Sequence, residues 1–219
     1  GKLYLRVVDY KTGRKSFSLS DVQYGLGIQM LLYLFALERE GEKHFGMSVV
    51  PAGVLYLPAR DVIVSEKRDA SPAKIESDIQ KELRRSGLVL EDAQVLRAME
   101  HDALEKPVYL PITLKKDGTI TDGVATAHEL GRLGRYTEHL LEQIAGELAR
   151  GNVDADPAYR TPQDGACRWC AYASACYFRP GSGTDRRRIL KKASPAEVWQ
   201  NIDEQLGKEA RHDLSLIHI

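Results

Sequence analysis

The sequence predicts an α/β fold, because runs of strand-forming residues alternate with stretches of helical periodicity. Residues 3–8 (LYLRVV) are rich in strand formers and lead into a turn at Thr12-Gly13. A helix is expected over residues 21–40. The longest helix is expected over residues 124–150, where leucines recur at mostly helical spacing before Gly151. This alternation is typical of a sheet covered by helices.

The first strand carries two charged side chains near its end. Because side chains alternate along a strand, Asp9 and Lys11 are expected on the same face. A carboxylate at a strand end is a suitable ligand for a hard cation such as Mg²⁺, and a neighbouring lysine can stabilise charge that grows during phosphodiester cleavage. A D-x-K pattern alone is more often a solvated charge pair.

The helix after this strand carries a second pair of interest. Ser18 or Ser20 is expected to cap the helix, and Gly41 is expected to end it. Gln29 and Tyr33 are four residues apart and therefore share one helix face. On an amphipathic helix such a pair is ordinarily a boundary glutamine and a half-buried tyrosine.

The middle of the chain continues the alternation without an internal repeat or a low-complexity tract. The expected elements are strands over 53–57 and 61–64 joined by residues 58–60, a helix over 72–85 ending near Gly87, a helix over 91–99, and a strand over 108–114 before a turn at 116–118. Residues 181–183 (GSG) are expected to be a linker.

Composition is typical of a soluble intracellular domain. Hydrophobic residues make up 43% of 219 positions, enough for a substantial core. Lys and Arg together number 31, as do Asp and Glu, so no overall basic field attracts nucleic acid and any such contact must be local. The longest apolar run, around residues 30–37, is too short to span a bilayer. A cytoplasmic location without membrane association is expected.

Three cysteines form a C-x2-C-x5-C pattern at Cys167, Cys170 and Cys176. Three soft thiolates in one short loop can converge on a metal centre, and an odd, clustered count argues against a secreted disulfide framework. A tetrahedral or cubane site needs a fourth ligand, from a histidine, another chain or sequence absent here. The spacing alone leaves a Cys3His zinc site open, with three candidate histidines: His128, His139 and His212.

The motifs follow one order along the chain: Val-Val-Asp-Tyr-Lys-Thr-Gly at 7–13, Gln-x3-Tyr on the next helix, and the distant cysteine pattern. In that order they resemble the RecB-like branch of the PD-(D/E)xK nucleases that carries an iron-sulfur cluster. Residues 87–92, residues 98–99 and the cysteine loop further resemble the nuclease domain of the AddB family of helicase-nuclease subunits. The resemblance spans most of residues 3–180. It implies a restriction-endonuclease-like mixed sheet flanked by helices, followed by a cysteine loop.

The resemblance also implies roles for the motif residues. Asp9 matches a metal-binding acidic residue and Lys11 matches the catalytic lysine, with Mg²⁺ as the catalytic cofactor. Gln29 and Tyr33 match a pair that helps to position the nucleic-acid strand and the active-site groups. The family places a further metal-binding Asp on a strand before the D-x-K motif, and no such residue precedes Asp9 in this sequence.

Cys167, Cys170 and Cys176 match three of the four ligands of a 4Fe-4S cluster, which the family completes with a cysteine upstream of the nuclease core. No cysteine occurs there in this sequence, which begins at Gly1 without an initiator methionine. We therefore expect an N-terminally truncated fragment that is inactive alone. Residues 214–219 (LSLIHI) resemble the translation of a sequencing adapter and are expected to be non-native.

The expected plan is a partial nuclease domain over 1–180, with a strand and helix core over 1–150 and the cysteine loop over 157–180. A linker and a polar segment follow over 181–213. The resemblance implies a parent protein that degrades DNA from double-strand ends in recombinational repair, as a heterodimer with an AddA-type helicase-nuclease subunit. Its expected ligands are double-strand ends and single-stranded DNA tails.

Two other functions fit the same motifs. One is a stand-alone Cas4-like iron-sulfur exonuclease, and the other is a catalytically inactive module that binds DNA ends or a partner subunit. The sequence contains no Gly-x4-Gly-Lys-Ser/Thr phosphate loop, so ATP binding and motor chemistry are expected outside this segment. Arg186 to Arg188, with Lys191 and Lys192, form a basic run that could touch DNA, although such a run is usually a solvated surface.

Overall fold

A computed structural model describes the backbone of residues 1–216 and the side chains of residues 1–208. His212 and the side chains of the expected adapter tail, 214–219, therefore lie outside the described residues. The chain divides into two compact units, the first formed by residues 1–18 and 27–137 and the second by residues 19–26 and those from 138 onward. Each unit is described separately below.

The helices, in chain order, are α1 (Leu19–Val22), α2 (Gln29–Phe45), α3 (Pro72–Glu82), α4 (Ala93–Met99), α5 (Ala127–Ala149), α6 (Ala173–Cys176) and α7 (Pro195–Leu216). The strands are β1 (Lys2–Lys11), β2 (Ser48–Pro58), β3 (Ser86–Leu90), β4 (Val124–Ala125), β5 (Ala158–Thr161), β6 (Asp164–Gly165) and β7 (Arg188–Ile189). Strands and helices alternate along the first 150 residues, which confirms the predicted α/β class.

The sheet of the first unit is mixed, with strand order β1-β2-β3-β4. β1 pairs with β2 in parallel, β2 with β3 antiparallel, and β3 with β4 in parallel. In β2, Val54, Leu55 and Tyr56 are consecutive and all buried, so this strand is covered on both faces. The predicted mixed sheet flanked by helices is thus present.

Both sheet faces of the first unit are packed. On one face, Leu55 joins a cluster with residues of β3, α4 and the segment 103–112, and Val8 packs against that cluster. On the other face α2 lies against β1 and β2. Gly41, buried within α2, brings the helix directly onto Val49 of β2 because it has no side chain.

The predicted single helix over 21–40, with a stop at Gly41, is wrong. Gly25 and Gly27 adopt positive φ angles of 74° and 69°, which a right-handed helix cannot contain, and they separate α1 from α2. α2 continues to Phe45 and ends at Gly46, which adopts the left-handed conformation with φ 67°. Gly41 resembles a helix stop because its close approach to a strand leaves no mark in the sequence.

The strands predicted in the middle of the chain are only partly correct. β2 covers 48–58, but residues 61–64 form no strand. Gly87, expected near the end of a helix, lies instead in the strand β3, and α3 already ends at Glu82. The short helix near 91–99 and the turn at 116–118 are confirmed, the turn by a hydrogen bond from the Gly118 N–H to the Lys115 carbonyl.

The predicted strand over 108–114 is replaced by an irregular segment with one isolated bridge, between Leu114 and Ile120. Its alternating apolar pattern has a different origin, since Leu110 and Ile112 are fully buried in the core. The backbone N–H groups of 108–110 donate to the carboxylate of Glu100 instead of a neighbouring strand. A side chain thus meets the hydrogen-bonding requirement that a sheet would otherwise meet.

The second unit contains a small sheet of order β6-β5-β7 and the helix α7. Val198 and Ile202 of α7 are fully buried, so the segment after residue 181 contributes to a core. Arg160 of β5 donates two hydrogen bonds, of 2.7 and 3.0 Å, to the carboxylate of Asp21 and so binds residues 19–26 to this unit.

None of the helices among residues 1–216 combines the length and the apolar character that crossing a bilayer requires.

Candidate active site

The two charged residues near the end of β1 lie in direct contact. Lys11 Nζ is 2.6 Å from Asp9 Oδ2, and the two side chains are 34% and 30% exposed. Tyr56 of β2 lies opposite Asp9 in the parallel register, and Lys11 Nζ lies 5.5 Å from the centroid of the Tyr56 ring. The prediction that Asp9 and Lys11 share a face is confirmed, whereas their catalytic roles stay predictions.

The contact fixes the protonation state of the lysine. Hydrogen bonding to Asp9 raises the pKa of Lys11 above its ordinary value of 10.5. Burial raises the pKa of the Tyr56 hydroxyl above its ordinary value of 10.0. At neutral pH Lys11 is therefore an ammonium ion and Tyr56 is uncharged. Such a site can stabilise negative charge beside it, but Lys11 cannot accept a proton there.

Gln29 and Tyr33 form a second pair on the first turns of α2. The side-chain amide of Gln29 donates a hydrogen bond of 3.0 Å to the hydroxyl of Tyr33, which confirms the predicted shared face. Tyr33 is 53% exposed, so its hydroxyl and ring edge are accessible to a ligand. The hydrogen bond orients both polar groups without burying them.

The chain topology brings the two pairs to one end of the sheet. β1, with 10 residues, is about 33 Å long, and α2, with 17 residues, is about 26 Å long. α2 ends just before β2 starts, and β2 starts opposite Lys2. The first turns of α2 therefore lie toward the carboxyl end of β1.

The two pairs also occupy the same face of the sheet. Val8 packs into the Leu55 cluster, so its neighbour Asp9 points to the opposite face. That opposite face is the one covered by α2, which carries Gln29 and Tyr33. Four side chains predicted from separate motifs are thus directed to one region.

A cleft of about 260 Å³ opens beside Lys11 and Tyr56. Its wall contains six Lys or Arg side chains and one acidic residue, Glu82; the cationic residues are Lys11, Arg14, Lys15, Arg60, Lys81 and Arg84. The volume lies below the range of roughly 300–1,000 Å³ typical of small-molecule pockets. The chain as a whole carries no net charge, so this cleft is a local concentration of positive charge.

The donor chemistry for a magnesium ion is present in part. Asp9 supplies a hard carboxylate oxygen, the ligand type that Mg²⁺ prefers. Within the described residues, no group of three or more His, Cys, Asp or Glu side chains is arranged to hold a metal ion. Because Mg²⁺ usually takes only one or two protein carboxylates and keeps several waters, Asp9 fits such an ion as one of its ligands.

The cysteine loop lies in the second unit. Cys167 is in a 3-10 turn, Ala166–Trp169, Cys170 follows it, and Cys176 ends α6. All three thiols are free, and Cys170 and Cys176 are exposed. The soft donor set fits an iron-sulfur cluster or zinc, with a fourth ligand required from elsewhere.

The surroundings of these thiols are aromatic and cationic. Hydrogen bonding with Cys167 raises the pKa of Tyr159 above its ordinary value of 10.0. Trp169 is 80% exposed, with the Arg168 guanidinium 5.0 Å from its ring centroid. Of the histidines considered as a fourth ligand, His139 lies on α5, where its Nε2 contacts the Gln143 side chain at 2.9 Å.

Sequence reasoning missed the basic cleft. Its charged residues come from separate segments, so neither spacing nor a charge run reveals it. The basic run visible in the sequence is engaged differently, since Arg186 pairs with Asp156 at 3.4 Å and the Arg187 guanidinium lies 5.0 Å from the Tyr159 ring centroid. A linear pattern detects neighbours along the chain, whereas the cleft is assembled by folding.

A lysine and a carboxylate in contact at a strand end, beside a helix that carries a glutamine and a tyrosine, define a nuclease class. The sequence profile of the PD-(D/E)XK nuclease superfamily matches residues 1–177, and the chain belongs to that superfamily.

Similarity extends to particular proteins within it. The chain is 35% identical over 209 residues to an ATP-dependent helicase/deoxyribonuclease subunit of the AddB type from Clostridium botulinum, covering 94% of this chain and 18% of that protein. The corresponding protein from Thermoanaerobacter sp. is 32% identical over the same coverage, and that from Acetivibrio thermocellus is 35% identical over 198 residues, or 90% of this chain and 17% of the relative. The chain is thus homologous to the nuclease region of these proteins and spans 18% or less of their length.

Proposed function

We propose that the chain is the nuclease domain of a helicase-nuclease subunit that hydrolyses DNA phosphodiester bonds from double-strand ends in recombinational repair. The contact of 2.6 Å between Lys11 and Asp9 carries the proposal, in a chain of a nuclease superfamily. Its relatives are named for a deoxyribonuclease activity, and we extend that activity to this chain.

Each residue of the site has a distinct task in this proposal. Asp9 would hold a Mg²⁺ ion, which when bound withdraws charge from the phosphoryl oxygens. Lys11 stays protonated through its bond to Asp9 and stabilises negative charge that grows on the phosphate. Gln29 and Tyr33 hold each other in place and orient the DNA strand against this charge.

The cysteines belong to the same proposal. Cys167, Cys170 and Cys176 would hold a 4Fe-4S cluster together with a fourth cysteine outside these 219 residues. Such a cluster cross-links distant parts of a chain and stabilises the fold that brings its ligands together. Its proposed task is structural.

The partners follow from the relatives' names. A protein named as one subunit of a helicase/deoxyribonuclease acts with another subunit, so we propose a heterodimer with an AddA-type helicase-nuclease partner. DNA with double-strand ends and single-stranded tails is the proposed substrate. A catalytic Asp supplied from outside these residues would complete the metal site, and the 219-residue chain alone would then cleave DNA far more slowly than the longer protein.

Substitution of Asp9 and Lys11 tests the nuclease activity. In the natural gene product that contains this chain, Asp9→Ala or Lys11→Ala should lower Mg²⁺-dependent cleavage of a linear duplex at least about 100-fold, because each removes charge stabilisation at the phosphate. The matched control is Lys43→Ala, since Lys43 Nζ also lies 2.6 Å from a carboxylate, that of Glu40 on α2. Cleavage at the wild-type rate by either active-site variant would refute the assignment.

A further inference from the structure

The basic cleft beside Lys11 has an uneven distribution of charge. Arg14 and Arg60 both donate to one carboxylate oxygen of Glu82, at 3.1 and 2.9 Å. Two guanidinium groups thus share a single negative charge, and one positive charge is left over. Arg84 adds another, because it donates to the backbone carbonyl oxygens of Leu110 and Ile112, which are uncharged.

We propose that this cleft binds backbone phosphates of the DNA strand next to the scissile bond. Arg14 and Lys15 make the phosphate contacts, and Arg60 is the fixed part of the wall. This inference rests on the proposed nuclease function and adds to it a binding site outside the D-x-K and Gln-x3-Tyr motifs.

The two arginines on Glu82 differ in freedom. The side chain of Arg14 is 81% exposed, while that of Arg60 is 23% exposed and also donates to the backbone carbonyl of Glu82 at 3.4 Å. Arg14 can therefore leave the carboxylate and reach a phosphate, whereas Arg60 remains bound to it. An exposed ion pair contributes little to stability, so this exchange costs the protein little.

The position of the cleft selects the ligand. Lys11 lines it and also contacts Asp9, so a strand lying in the cleft leads directly to the candidate catalytic pair. Phosphates repeat along a strand, and several cations spaced around one cleft suit that repeat better than a single small anion. Contacts of this kind carry no sequence information, as a nuclease that degrades DNA progressively requires.

Salt dependence of binding tests the proposal without cleavage. A fluorescein-labelled single-stranded oligonucleotide is titrated with the 219-residue chain in EDTA, at salt concentrations between about 50 and 200 mM. Replacing both contacts, in Arg14→Gln/Lys15→Gln, should weaken binding and reduce the slope of log K against log salt by about 0.7 for each lost phosphate contact. The wild-type protein should then lose roughly 2.6-fold more affinity per contact across this salt range.

Two further variants guard the interpretation. Arg97→Gln removes an exposed arginine that is paired with Glu105 at 3.3 Å and is not part of the cleft wall, and it should leave the slope unchanged. Arg14→Lys preserves the charge and, placed in the Lys15→Gln background, should restore one contact's worth of slope. Circular dichroism should show that all variants are folded.

The outcomes separate this inference from the nuclease proposal. A wild-type slope in the double variant, or an equal loss in Arg97→Gln, overturns the phosphate site even if the protein cleaves DNA. A reduced slope supports the site even if Asp9→Ala leaves cleavage unchanged, which would instead refute the catalytic assignment.

Discussion

The carboxylate of Glu100 organises the segment that supports the basic cleft, and its removal gives a sharp stability prediction. It accepts backbone N–H groups of Val108 at 2.6 Å, Tyr109 at 3.2 Å and Leu110 at 2.8 Å. The same segment supplies the carbonyl oxygen of Leu110 that holds Arg84 in the cleft wall. Glu100→Ala removes the acceptor and leaves these donors without it.

The expected loss follows from the geometry. Hydrogen bonds to a charged group are worth about 1.5–3 kcal/mol each, but these N–H groups are only partly buried and water can replace some of the bonds. Counting the two short bonds near the lower value and the long one near zero gives about 3 kcal/mol. In a domain of this size that is a fall in Tm of roughly 6–12 °C. Glu100→Gln retains one acceptor oxygen and should lose about half as much.

Chemical denaturation with urea, followed by circular dichroism, measures this loss. Glu105→Ala is the matched control, because Glu105 is a nearby glutamate whose side chain is 60% exposed and pairs with Arg97 at 3.3 Å. Surface changes of this kind usually stay within about 0.5 kcal/mol. If Glu100→Ala is no less stable than Glu105→Ala, the carboxylate does not hold the segment and the reasoning is wrong.

Two further predictions concern the motif residues. Because the hydrogen bond to Asp9 raises the pKa of Lys11 above 10.5, the favourable pairing is complete below pH 10.5 and is lost as the pH rises through the raised value; Asp9→Asn should lower that pKa, and an unchanged NMR titration midpoint for Lys11 would contradict this. Anaerobically prepared natural gene product should be brown and contain iron and acid-labile sulfide, which single replacement of Cys167, Cys170 or Cys176 by Ser should abolish; stoichiometric zinc without iron would exclude the cluster.

Contacts between residues close in sequence were predictable from the sequence. Strand alternation alone places Asp9 beside Lys11, and the helical repeat alone places Gln29 against Tyr33. These rules hold whatever the rest of the fold does, since they depend only on local backbone geometry. The family resemblance then supplied expected roles for residues whose spacing by itself is common.

Element boundaries were less predictable where a tertiary contact competes with a local signal. Gly41 looks like a helix stop but serves as a point of close packing, and residues 108–114 look like a strand but satisfy their backbone through Glu100. In both cases the residue pattern is real and its cause lies in a distant partner. Gly25 and Gly27, which do break the helix, are ordinary glycines in the sequence.

The sequence by itself determined the α/β class, the two motif pairs and the cluster of thiols, because each depends on residue type and short-range spacing. The tertiary structure decided that β2 is the buried strand between β1 and β3, and that both motif pairs face the same side and end of the sheet. It also decided that Arg14, Arg60 and Glu82 meet beside Lys11. The physical reason is that a charge cluster drawn from separate segments exists only when strand pairing and core packing bring those segments together, and no local rule encodes that closure.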